Sequence, residues 1–97
     1  MQITLTESAV RDLEEIRDWY AEQDAADIGL RLVSEIFQQV EGLGAHPEKG
    51  RIVPEFGQSF LRELIHPPFR IVYKLDEQTI RVVRVWRSER LFRFPPD

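Results

Sequence analysis

Cysteine is missing altogether from this 97-residue sequence, methionine occurs once and histidine twice. Without thiols there can be neither disulfides nor thiolate metal sites, a composition compatible with a reducing compartment. The two histidines, His46 and His66, stand apart with no neighbouring ligand at a metal-binding spacing, so no metal and no cofactor is expected. Long apolar runs are lacking too. The opening MQITLTESAV carries neither a basic n-region nor a long apolar core, and nothing approaches the roughly 20 residues of a membrane span. These absences lead to the expectation of a soluble, cytoplasmic protein with no membrane contact. There is no low-complexity tract or internal repeat, and 10% aromatic with 31% charged residues is a globular composition. The length accommodates one domain, 1–97, with a core of modest size.

The net charge of −4 conceals a split. Residues 1–59 carry five basic side chains (Arg11, Arg17, Arg31, Lys49, Arg51) against twelve acids, a balance of −7. Residues 60–97 carry eight basic side chains against five acids, a balance of +3. An acidic partner would be drawn to the second half, whereas the chain as a whole is not expected to bind DNA directly. From charge alone, the arginines are read as the solvated face of strands.

Gln2–Leu5 is short and β-prone. Thr6 is placed to cap a helix whose apolar face is Ala9, Leu13, Ile16 and Tyr20, with Glu7 near the positive end of the helix dipole. A turn is expected within Glu22–Asp27, followed by a second apolar series at Ile28, Leu32, Ile36, Val40 and Leu43, widened by Val33 and Phe37. Gly42, Gly44 and His46-Pro47 stop it, so the two helices form an antiparallel hairpin. Glu48–Ser59 lacks periodicity and is read as a loop. Three strands follow: Phe60–Ile65, Phe69–Leu75 and Thr79–Arg87. In the second, Ile71, Tyr73 and Leu75 oppose Arg70, Val72 and Lys74. In the third, Ile80, Val82 and Trp86 alternate with Val83 and Val85, the pattern of an interior strand with apolar groups on both faces. The expected fold is α+β, β-α-α-β-β-β, a helical hairpin on one face of a mainly antiparallel twisted sheet.

That order, with the segments TESAVRDLEEIRDWY, HPEKGRIVPE, RELIHPPFRIVYKL and RVVRVWRSERL, resembles the RelE/ParE family of toxins from type II toxin–antitoxin systems. The likeness runs from about Ile3 to Leu91, and the Arg-Glu-Leu to Phe-Arg-Ile-Val-Tyr hairpin is its most specific part. It implies a toxin held inactive by an antitoxin encoded beside it. RelE-type members cut messenger RNA in the ribosomal A site with a group of basic residues and often a C-terminal Tyr. ParE-type members, the plasmid-stabilisation branch, share the fold without that set, and those characterised act on DNA gyrase.

Shared fold does not choose between targets, so the residues must. Arg70 matches the hairpin Arg of the family and could contact phosphate. Upstream, where RelE-type enzymes place basic residues, this chain has Arg62 and then the apolar Leu64. Phe94 is the nearest aromatic to the expected terminal Tyr, and it has no ionisable proton. The position of a family His reads Arg87, which does not exchange protons near neutral pH. The basic cluster Arg62, Arg70, Arg84, Arg87 and Arg90 therefore lacks an evident proton-transfer pair, and the reading favours a ParE-like, non-nuclease toxin. Arg62, Arg70, Arg84, Arg87, Arg90, Phe92 and Phe94 are the candidate target contacts. The alternative is a ribosome-dependent endoribonuclease using Arg70, Arg87 and His66, and a third reading is a member that only binds its partner. His66 can be read as a replacement base or as a turn histidine, and His46 as a group meeting the helix end. Trp19 and Tyr20 could stack on a partner, although Tyr20 continues the core face, and Trp86 reads as interface anchor or core. The antitoxin is expected on exposed apolar residues of the hairpin together with the basic half of the sheet.

Overall fold

The computed structural model describes residues 1–87. Its elements are β1 (Gln2–Leu5), α1 (Glu7–Glu22), α2 (Ala26–Gly42), β2 (Arg51–Ile52), β3 (Leu61–His66), β4 (Phe69–Leu75) and β5 (Thr79–Arg87). They build an α+β fold whose sheet has the order β1-β5-β4-β3-β2. Only β1 and β5 pair in parallel; the other neighbours are antiparallel.

Local chemistry accounts for the helices. Thr6 accepts from the Ala9 N–H and so satisfies one of the free amides of the first turn of α1, while its hydroxyl donates to the Val83 carbonyl of β5. Between the helices, Asp24 takes a left-handed conformation that Asp tolerates better than most residues. The hairpin closes tightly at Gly29, where a Cβ would lie 2.8 Å from that of Tyr20. The backbone N–H of His46 donates to the Gly42 carbonyl at the end of α2.

The apolar faces of both helices meet Leu64, Phe69, Ile71, Tyr73, Ile80, Val82 and Val85 in the main core. Ile28 and Phe37, expected on the buried stripe, are exposed instead, because Gly29, Leu32, Ile36 and Val40 define the side of α2 that turns inward. The opposite face of the sheet carries a smaller core of Val53, Leu61 and Val72, with Phe56, Val83 and Trp86 against it.

Two departures from the sequence pattern matter. The stretch 48–59, expected to be loop throughout, contributes the two-residue strand β2 on the edge of β3; two residues are too few to show an alternation. In β5 the register slips at Val83, with Val72 opposite Arg84 and Tyr73 opposite Val82. The extra residue of this bulge reverses the alternation. Val85 therefore joins Ile80 and Val82 under the helices, and Trp86 joins Val83 on the other face.

Tyr73 ties the α2–β3 connection to the core. Its hydroxyl accepts from the Gly50 N–H at 2.9 Å and donates to the Pro47 carbonyl at 2.8 Å. The fit requires glycine at 50, since a Cβ there would sit 2.7 Å from both the Tyr73 hydroxyl and the Glu63 carbonyl. Burial, which disfavours the phenolate, raises the Tyr73 pKa above its ordinary value of 10.0. The neutral phenol is thus favoured more in the folded than in the unfolded chain. That stabilisation is complete below about pH 10 and is lost as pH rises through the raised folded value. Tyr73→Phe is expected to cost about 1–3 kcal/mol in urea denaturation at pH 7 by leaving the Gly50 donor unpaired. It should also lack the part of the alkaline destabilisation above pH 10 that the wild-type tyrosine contributes.

Candidate functional site at the free end of the last strand

The strand arginines do not gather into one surface cluster. Arg70 is only 4% exposed. Its Nε donates to Glu63 Oε1 at 2.7 Å, and its two terminal nitrogens meet Glu55 at 3.0 and 2.9 Å. The second oxygen of Glu63, itself 1% exposed, accepts from Arg51 at 2.6 Å. Two carboxylates and two guanidiniums thereby form a neutral network on the sheet face away from the helices. The bonds from Glu55, and after them those from Glu63, outweigh the effect of burial and hold the Arg70 pKa above its ordinary value. Arg70, an expected target contact, fastens the loop after β2 to the sheet.

Arg62 is likewise engaged with backbone, donating to the carbonyls of Ser59, Glu48 and Gly50. His66, the candidate base, bonds Glu35 of α2 at 2.9 Å on the helical face. Arg70 lies on the other face, so the fold separates these two members of the proposed catalytic set. Among the described residues there is no group of three or more His, Asp or Glu side chains able to hold a metal ion. No helix among them is long and apolar enough to cross a membrane.

Arg84 and Arg87 lie elsewhere, at the end of β5. β1 stops at Leu5, opposite Val82, while β5 continues to Arg87, so its last residues run past their neighbour. Asp12 of α1 fills the gap. Its Oδ2 accepts from the Val85 N–H and from Arg84 Nε, both at 2.8 Å, and its Oδ1 from a terminal nitrogen of Arg84 at 3.0 Å. The fork-to-carboxylate geometry fixes Arg84 across the Trp86 ring, 4.3 Å from its centroid. Beside this pair opens a cleft of about 250 Å³ between α1 and β5, lined among others by Trp19, Tyr20, Phe69, Trp86 and Arg87. Trp19 is 51% exposed and meets Tyr20 edge to face. Arg87, which also lines the cleft, is exposed. Arg90, Phe92 and Phe94 lie outside the described residues.

Aromatic faces beside fixed guanidiniums suit protein recognition, where Trp, Tyr and Arg dominate binding energy. Neither Asp12, Glu55 nor Glu63 was among the expected site residues. Asp12 does carry a signal, because it stands on the apolar stripe, three residues after Ala9 and four before Ile16. Glu63 is signalled by its hairpin position diagonal to Arg70. Glu55, in an aperiodic loop, offers none.

This arrangement of a two-helix hairpin on a mixed five-stranded sheet is shared with chains in solved structures of toxin–antitoxin systems. A solved structure of the chromosomal ParDE toxin–antitoxin system from P. aeruginosa matches with a TM-score of 0.77 and 26% identity, covering 92% of this chain and 97% of the other. The RelBE2 toxin–antitoxin complex from Mycobacterium tuberculosis matches in fold with a TM-score of 0.65 and 17% identity, covering 91% and 92%. No curated protein sequence matches. The family described as ParE toxin of type II toxin–antitoxin system, parDE, matches residues 3–92, and the chain belongs to that family.

The geometry around Arg70 makes its role testable. Arg70→Ala leaves Glu63 buried opposite Arg51 alone, and is expected to cost about 3–5 kcal/mol in urea denaturation. A loss within experimental error would show that the network does not hold the loop.

Proposed function

We propose that this ParE-family toxin, a single domain over residues 1–97, inhibits growth by binding DNA gyrase in the cytoplasm and is neutralised by a cognate antitoxin. The observation that carries the binding reading is the division of the polar groups. Arg70 is engaged by the buried Glu63 and by Glu55, and His66 is tied to Glu35 on the far face of the sheet. An RNA-cleaving site needs a proton-transfer group beside an accessible phosphate-binding cation, and these residues do not form one. The cleft of Trp19, Trp86, Arg84 and Arg87 is the target-facing surface in this reading, and Arg90, Phe92 and Phe94, which follow in the sequence, are further target contacts in the same proposal.

The antitoxin is assigned to the helical hairpin. On α2, Leu30 is 58% and Phe37 41% exposed, and their seven-residue separation puts them on one side of the helix with the partly buried Val33 between them. Such a stripe suits an amphipathic helix from a partner. The solved structures of similar fold are of toxin–antitoxin assemblies, which supports this partner class.

Supercoiling by purified gyrase with added toxin tests the target. Inhibition is expected, and Trp19→Ala, whose side chain is half exposed, should raise the half-inhibitory concentration by about tenfold or more while leaving the fold intact. Undiminished supercoiling at large toxin excess would remove the gyrase reading. Discrete A-site cuts in translated messages would replace it with endonuclease action.

A further inference from the structure

Most of the basic side chains on strands β2 to β5 are engaged within the molecule. Arg51 and Arg70 meet Glu63, Arg62 meets backbone carbonyls and Arg84 meets Asp12. Lys74 and Arg81 differ. Among the described residues neither has a carboxylate within ion-pair distance. They are register partners on β4 and β5, and both are exposed. Their chain neighbours Tyr73, Leu75, Ile80 and Val82 all turn toward the helices, so this pair lies on the opposite face.

Like charges directly opposite each other weaken an antiparallel pair. An acid at either position would make a cross-strand ion pair, and this chain has no shortage of acids. The register thus sets two uncompensated cations side by side where the fold alone would favour opposite signs. Their Cβ atoms in such a pair are about 5 Å apart, close enough for one carboxylate to reach an ammonium on one side and a guanidinium on the other. The Lys74 ammonium also lies 5.9 Å from the ring centroid of Phe60, which is itself exposed and offers an apolar neighbour to whatever binds.

We propose that Lys74 and Arg81 together form a docking point for a carboxylate of an acidic polypeptide segment lying along the open face of the sheet. A polypeptide fits better than a nucleic acid for two reasons. Two cations neutralise only two phosphates, too few to hold a polyanion against a chain whose net charge is −4. The immediate surroundings are not basic either: Phe60 and the half-buried Val83 flank the pair, and the acids Asp76 and Glu77 follow in the turn after β4. The site is separate from the cleft beside Trp19, and it requires neither gyrase nor the antitoxin to be the partner.

The test uses the full chain and a fluorescein-labelled peptide containing Glu-Leu-Glu-Leu, with binding followed by anisotropy at low and high salt. Wild-type protein should bind the peptide in a salt-sensitive way. Lys74→Glu and Arg81→Glu should each weaken binding about tenfold or more. Arg11→Glu, an equal charge change on the exposed surface of α1, should leave it unaltered. The same two sheet variants should unfold at a higher urea concentration than wild type, because each replaces a like-charge pair with an ion pair. Stabilisation together with lost binding is a signature that a merely structural role would not produce. The proposal is overturned if the wild type does not bind the peptide, if Arg11→Glu weakens binding equally, or if the sheet variants are not stabilised. It is also overturned if a duplex oligonucleotide binds more tightly than the peptide with the same dependence on these residues.

Discussion

The guanidinium of Arg70, held between Glu55 and Glu63, is the interaction on which one side of this molecule depends. Burying a lone cation would cost several kcal/mol, and here the penalty is offset by two carboxylates, one of them satisfied at its second oxygen by Arg51. The segment 53–57, which carries Val53 and Phe56, is thereby held over Val72 and Leu61 to complete the second core. The network also removes from solvent the arginine that looks, in the sequence, most suited to meet a phosphate.

The two faces of the sheet consequently have different physical characters. The helical side is a continuous apolar core with few polar contacts, of which Tyr73 with Gly50 and Pro47 and His66 with Glu35 are the main ones. The other side alternates neutralised charge, a small apolar patch and uncompensated cations. Between them, at the end of β5, aromatic rings and a fixed guanidinium reach the surface. There the bonds between Asp12 and Arg84 and the contact of Arg84 with the Trp86 ring hold these side chains in one arrangement.

Much of this fold is legible in the sequence, for reasons that can be assigned to residues. Ala9, Leu13 and Ile16, then Leu32, Ile36 and Val40, repeat at helical spacing, and Thr6 announces where the first helix starts. The alternation through Ile71, Tyr73 and Leu75 gives the orientation of β4 directly. Legibility fails where one residue upsets the count: the bulge at Val83 leaves no mark in composition, so Trp86 is assigned by alternation to the wrong face. β2 escapes notice because two residues carry no period. For the candidate site, the exposed aromatics and Arg84 could be named from the sequence, but the burial of Arg70 could not. Its second partner, Glu55, lies fifteen residues away in a loop whose path is set by tertiary packing. The belonging of the chain to the ParE family was readable from the order of its segments, while the distribution of its charges required coordinates.

Asp12 has a consequence beyond the orientation of Arg84. A strand that outruns its neighbour exposes amides on which foreign backbone can polymerise. By accepting the Val85 N–H, the carboxylate of α1 occupies a rung of that ladder with a side chain, which cannot propagate it. Growth of the sheet into an adjoining molecule is interrupted at this margin, and the toxin can leave an aromatic cleft open there without inviting self-association through its own β-structure.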